Sequence, residues 1–297
     1  MAILSIQSHV VSGYAGNSAA VFPMQRLGRE VWAVNTVEFS NHTGYGAWTG
    51  RALGADFTAE LIKGLCRRGI LERCEAILSG YLGDAETGQV IADAVRMVRK
   101  ETGKALYCCD PVMGDTGRGY YVAPGIPEIF KNELCALADI ITPNQFELEA
   151  LTGINTGNIE NALMAVNILH EKGPSVVLVT SYREENAPQT GGDARISMLA
   201  SDNSGIYRTT TPLLQFGINT AGAGDLTAAL FLSRYLETGD VRRTLELCTA
   251  SVYGILKKSF HEHKKSQEEE TVPLELRIIE AQDEIVSPTH IFEAVKL

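Results

Sequence analysis

Six compact apolar runs, each but the last followed by a longer stretch with helical spacing, limit what this chain can fold into more than any other feature. The runs cover residues 2–7, 30–37, 75–82, 104–110, 139–142 and 175–181, and they suit strands buried on both faces. Helical patterns fall near 17–28, 56–69, 86–102, 125–138, 144–152 and 159–172. Asn17 and Asp56 are placed to cap helix N-termini, and Gly28, Gly69, Gly103, Gly153 and Gly173 stand where helices should stop. Strand-then-helix alternation implies an α/β fold, with a mostly parallel central sheet and helices on both faces.

The rhythm changes after Ser181. Residues 182–195 are polar and glycine-rich, and the runs 196–200 and 206–211 read as a hairpin, an antiparallel edge on the parallel sheet. Helical spacing resumes at 224–237 and 241–259, and the charged stretch 257–271 reads as a solvated loop or frayed end. His261 and His263 lie there, and positions two apart diverge on a helix, so no metal site is expected of them. No linker divides the chain, so residues 1–297 are expected to form one domain.

Charge and hydropathy exclude several classes of function. The formal net charge is −10, which argues against nucleic acid or an anionic membrane as partner. No run approaches the roughly 18 apolar residues that a membrane span needs, and the first residues lack a charged n-region. The 6 cysteines are too scattered for a disulfide scaffold, which leads to the expectation of a cytoplasmic protein.

In doubly wound sheets ligands bind beyond the C-terminal ends of the strands. One loop that could serve is Asn219-Thr-Ala-Gly222-Ala223-Gly224-Asp225, which opens a helix. Its glycines let the backbone turn and present free N–H groups as an anion site. Asp225 is there either a helix cap or a general base. No P-loop lysine follows, and no dinucleotide fingerprint is present. A second loop, Asp110-Pro-Val-Met-Gly-Asp-Thr-Gly-Arg-Gly-Tyr-Tyr121, has the glycines of a mobile flap, or of an ordinary βα turn. In a third, Thr142-Pro-Asn-Gln-Phe-Glu147, Asn144 and Glu147 form a near capping box and also face the region of Asp110. The fourth, Phe39-Ser-Asn-His42-Thr43-Gly-Tyr-Gly-Ala-Trp48, offers hydroxyl, imidazole and aromatic surfaces to a small ring, with Ser8 and Tyr81 opening into the same crevice.

Taken in order along the chain, the Ser8 block, Asn-His42-Thr43-Gly-Tyr, Cys-Asp110-Pro-Val-Met-Gly-Asp, Thr142-Pro-Asn-Gln-Phe-Glu147 and Gly-Ala-Gly-Asp225 resemble the pyridoxal kinases of the ribokinase-like superfamily. The resemblance implies a ribokinase-like fold and transfer of the ATP γ-phosphoryl group to the 5′-hydroxymethyl of pyridoxal, pyridoxine and pyridoxamine. By matching positions, Asp225 becomes the base and Gly222, Ala223 and Gly224 the anion hole. Ser8, His42, Thr43 and Tyr81 become the vitamer site. Asp110, Tyr121, Thr142, Asn144, Glu147, Thr180, Ser181, Leu213 and Leu214 fall to the nucleotide, with Asp110, Thr142 and Glu147 at its metal ions. The same pattern implies Mg²⁺ or another divalent cation, K⁺ or Na⁺, and a homodimer. Around Thr180-Ser181 the chain looks like the animal-type enzymes and lacks the lysine of many bacterial ones. Alternatives on the same fold are a hydroxymethylpyrimidine or other small-molecule kinase and a non-catalytic vitamer binder. Residues 111–225 hold 6 basic and 13 acidic groups, so helix-terminus N–H groups and metal ions are expected to neutralise ATP.

Overall fold

The structure is a computed structural model that describes residues 1–188, 190–215, 220–266 and 275–297. Asn219 of the helix-opening motif lies outside the described residues, as does the last part of the charged stretch, 267–271.

In chain order the first half contains β1 (Ala2–Val10), α1 (Asn17–Arg26), β2 (Glu30–Phe39), β3 (Gly50–Ala52), α2 (Ala55–Arg67), β4 (Cys74–Ser79), α3 (Ala85–Thr102) and β5 (Leu106–Cys109). A small two-stranded flap follows, β6 (Gly114–Asp115) and β7 (Gly119–Tyr120). Then come α4 (Ile126–Ile129), a π turn over Phe130–Leu134, α5 (Cys135–Leu137), β8 (Ile140–Ile141), α6 (Gln145–Thr152), α7 (Ile159–Lys172) and β9 (Val176–Tyr182). The chain continues with β10 (Arg195–Asp202), β11 (Gly205–Pro212), α8 (Ala223–Thr238), α9 (Val241–Ser266), α10 (Gln282–Val286) and β12 (Val295–Lys296).

Ten strands make one sheet in the order β12-β11-β10-β9-β8-β5-β4-β1-β2-β3. All six sequence-predicted runs are its parallel members, and the expected hairpin is the antiparallel pair β10–β11. The short strands β3 and β12 add an antiparallel edge at each end. Alternation along β1 sends Leu4 and Ile6 to one face and Ile3 to the other, which explains why these runs look uniformly apolar. Ile62 of α2, Val95 of α3, Leu148 of α6 and Val166 of α7 pack on the first face. Met24 of α1, Phe231 of α8 and Ile255 of α9 pack on the second.

Three local expectations need correction. Asn17 and Asp56 cap nothing, because Gly16 and Gly54 hold the cap positions without a side-chain bond. Asn17 is instead buried, accepting from Ser5 Oγ at 2.7 Å and donating to Asn35 Oδ1 at 2.8 Å and to the Val34 carbonyl at 3.1 Å. Over its described part, Lys257 to Ser266, the charged stretch is neither loop nor frayed end: α9 runs on through Ser266, with Ser259 fully buried and bonded to the Ile255 carbonyl. A charge run there read as solvated because one face of the helix is, while the other packs on the core.

Candidate active site

The parallel strands deliver the predicted residues to one place. Ser8 and Val10 of β1, Phe39 at the end of β2, Tyr81 after β4, Asp110 after β5, Thr142 after β8 and Thr180–Ser181 of β9 all line a cavity of about 860 Å³. They lie beyond the same sheet edge, and β1 stands between β2 and β4, where the strand order reverses. That is the switch point where α/β sheets open a crevice.

The first turn of α8 forms one wall. Gly222 is its cap residue at φ +77°, and a Cβ there would collide with the Tyr14 carbonyl oxygen, so both conformation and contact demand glycine. Helix geometry leaves the Ala223 and Gly224 N–H groups without intrahelical acceptors, as an anion site requires. Beyond its own helix turn, Gly224 has no protein atom within 4 Å of where a Cβ would stand, which leaves open space on that side. Asp225 is not the cap residue of α8, a place that Gly222 holds. Burial raises its pKa, and the nearby Gly16 N–H and its own N–H act the other way.

Asp110 and Glu147 are buried on the neighbouring wall. Burial, then the charges of Glu147 and Asp225, push the Asp110 carboxyl well up. Glu147 reaches about 8, because burial outweighs the N–H groups of Asn144 and Met113 that it accepts, each at 2.9 Å. Asn144 Oδ1 accepts the Glu147 N–H in return, which completes the capping box. Both Glu147 oxygens are therefore engaged in holding the base of the flap.

Asp110 Oδ2 and Thr142 Oγ1, by contrast, are buried without a hydrogen-bond partner. Among the described residues no group of three His, Cys, Asp or Glu could hold a metal unaided. Two orphaned oxygens beside a crowd of carboxylates fit a divalent cation that draws its remaining ligands from phosphate and water.

At the opposite end His42 starts a short 3₁₀ turn over Thr43–Tyr45, its Nδ1 accepting the Gly44 N–H at 3.1 Å. Burial and the Arg118 charge lower its pKa, with Glu275 acting the other way. Phe39 and Trp48 pack with ring centroids 4.3 Å apart and present an aromatic surface to the cavity. Thr180 and Ser181 interrupt the pairing of β9 with β10, and Ser181 adopts φ +56°. Such a conformation is strained for serine and turns both residues toward the cavity. They also line a second cavity of about 200 Å³, with Leu213, Leu214, Met198 and Tyr253, which shares the α8 turn with the first. Tyr121 sits at the root of the flap, on the first cavity.

Every sequence-predicted site residue thus borders one or other cavity. Two features escaped sequence reasoning. The Gly16 N–H is a backbone group with no residue-type signal. Arg118, in the middle of the glycine-rich flap, reads there as one exposed charge among many.

Phosphoryl transfer to an alcohol is the chemistry these walls favour, and the fold that carries them is that of the ribokinase-like small-molecule kinases. Residues 47–269 match the phosphomethylpyrimidine kinase family. Over 99% of both chains the sequence is 49% identical to pyridoxal kinase PdxY of Granulibacter bethesdensis, and over 96% of this chain and 94% of the other it is 48% identical to that of Rubrobacter xylanophilus. The chain belongs to the pyridoxal kinases of this family. Its fold is similar to pyridoxal kinase from Leishmania donovani in complex with ADP and pyridoxamine, at TM-score 0.88, 28% identity and 99% coverage of each chain.

Proposed function

We propose that this protein transfers the γ-phosphoryl group of ATP to the 5′-hydroxymethyl of pyridoxal, and likewise of pyridoxine and pyridoxamine. The observation that carries the reading is the position of Asp225. It is a carboxylate with a raised pKa, set beside two outward N–H groups, in a cavity with an aromatic wall at one end and the apolar Leu213–Leu214 recess beyond the other. A solved relative that binds ADP and pyridoxamine together supports the same two-ended use.

In this reading Ser8, Thr43, His42 and Tyr81 orient the pyridine ring, and Leu213 and Leu214 border the adenine. Thr180, Ser181, Asn144 and Tyr121 frame the triphosphate. Asp225 takes the hydroxyl proton late, as the oxygen attacks in line and its acidity rises. Ala223 and Gly224 N–H groups receive charge on the moving phosphoryl group. Asp110 and Thr142 would hold Mg²⁺ or another divalent cation, with Glu147 supporting them. When bound, that cation supplies neutralisation of phosphate charge.

We further propose that residues 1–297 act as one kinase domain, since β1 and β12 belong to the same sheet. The family resemblance supports a homodimer, a K⁺ or Na⁺ requirement and a cytoplasmic setting. No helix among the described residues is long and apolar enough to cross a membrane.

The family match favours one second reading, phosphorylation of hydroxymethylpyrimidine. A coupled assay for ADP and phosphorylated product with pyridoxal, pyridoxine, pyridoxamine and hydroxymethylpyrimidine separates the two. Turnover with the vitamers is expected, and no ADP with any of them would overturn the proposal.

A further inference from the structure

The flap is rigid at its root and charged at its tip. Gly114 pairs with Tyr120, and the Asn144 amide donates to the Gly114 carbonyl at 2.9 Å. The Tyr121 N–H donates to the Met113 carbonyl at 3.1 Å, and Tyr120 meets the Phe146 ring edge-on at 5.1 Å. At the tip the Arg118 N–H closes the turn on the Asp115 carbonyl at 3.1 Å, between Gly117 at φ +83° and Gly119 at φ +69°. The Arg118 guanidinium lies over the Tyr121 ring, 5.2 Å from its centroid.

Arg118 is the one Lys or Arg that lines the 860 Å³ cavity, and among the described residues it belongs to no ion pair. Its field reaches His42 at the vitamer end and Asp115 on the flap. A guanidinium seated over a tyrosine ring has less freedom to lose, and its planar fork of donors suits two phosphate oxygens.

We infer that Arg118 pairs with the phosphoryl group as it passes from ATP to the vitamer and stays on the 5′-phosphate of the product. The 5′ oxygen forms the new bond to phosphorus, the bond from phosphorus to the bridging oxygen breaks, and ADP leaves with that electron pair. The hydroxyl proton goes to Asp225. Arg118 forms no bond and donates hydrogen bonds to the oxygens that carry the charge. This inference rests on the kinase reading above.

The test compares wild type, Arg118→Met and Arg118→Lys for equilibrium binding of pyridoxine and of pyridoxine 5′-phosphate, ligands without an aldehyde to react with lysines. Steady-state kcat and KM are measured alongside. Arg118→Met should weaken the phosphorylated ligand at least tenfold, leave pyridoxine within twofold, and lower kcat at least tenfold. Arg118→Lys, with the charge but not the fork, should fall between. An unchanged melting temperature is expected for this exposed side chain. Equal loss for both ligands, or no loss for the phosphorylated one, would overturn the inference. Wild-type protein that makes no ADP would sink the kinase reading, and the two binding constants would still decide the role of Arg118.

Discussion

The Gly16 backbone N–H faces the Asp225 carboxylate and favours its charged form against burial, linking the turn after β1 to the first turn of α8. Gly16 is itself fixed from below. Its neighbour Asn17 is locked by Ser5, Asn35 and the Val34 carbonyl, and Asn35 donates to Glu38, which meets His9 at 2.5 Å. A polar chain across β1 and β2, buried at Ser5 and Asn17 and half-buried beyond them, therefore holds the turn that faces the base.

Asp225→Asn should separate binding from turnover. The amide keeps the size of the side chain but cannot take a proton, and a general base contributes about 10²- to 10⁴-fold. ATP and pyridoxal dissociation constants are expected to stay within a few fold while kcat falls by at least about 100-fold. Near-normal turnover would remove Asp225 from the role of base.

The two glycines before Asp225 should respond oppositely to alanine. At Gly222 the new Cβ meets the Tyr14 carbonyl and sits at positive φ, a combination that costs on the order of 1–3 kcal/mol. At Gly224 it meets nothing, and alanine in a helix is worth roughly 0.5–1 kcal/mol over glycine. Gly222→Ala is thus expected to lower the melting temperature and Gly224→Ala to hold or raise it. If open space at Gly224 serves ATP, Gly224→Ala should raise the ATP KM several-fold. A stable variant with unchanged ATP KM would show that the space is not used.

Much of this site is legible in the sequence because it follows from topology. Once the apolar runs are parallel strands, Ser8, Tyr81, Asp110, Thr142 and Thr180 must emerge at one edge. The remainder depends on contacts that residue types do not encode. Asn17 reads as a cap because asparagine favours caps, yet tertiary bonds to Ser5 and Asn35 claim it. The 3₁₀ turn at Thr43–Tyr45 and the strands β3, β6, β7 and β12 are too short for periodicity to register. The expected scarcity of cations matches the lining of the cavity, where the strand ends bring no Lys or Arg and Arg118 alone enters, from the flap tip.

Metal dependence should follow from Asp110. Chelation is expected to abolish turnover and Mg²⁺ to restore it, with Asp110→Asn needing at least about tenfold more Mg²⁺. A stability effect accompanies this. Asp110 and Glu147 both have folded pKa values above their unfolded ones. Their contribution is therefore full at acid pH and is lost as pH rises through the folded values, about 8 for Glu147. In chelator, wild-type melting temperature should fall across that range, and Asp110→Asn should flatten the fall. Equal slopes for the two proteins would count against charge crowding at this wall.

His42 should be neutral under physiological conditions. Burial and Arg118 lower its pKa, Glu275 opposes them, and the Gly44 N–H donates to Nδ1, which the neutral ring accepts and the protonated ring cannot. With the folded value below the unfolded one of about 6.5, stability present above that pH is lost as pH falls toward the folded value. The loss of the Gly44 bond on protonation links the same titration to the vitamer loop. Pyridoxine affinity should stay flat from about pH 8 to 6.5 and drop only below the ordinary imidazole range. In Arg118→Met the His42 titration, followed by NMR, should move up toward the ordinary value, because the repelling charge is gone while burial remains. A His42 titration that stays fixed in that variant would place Arg118 out of electrostatic reach of the vitamer end.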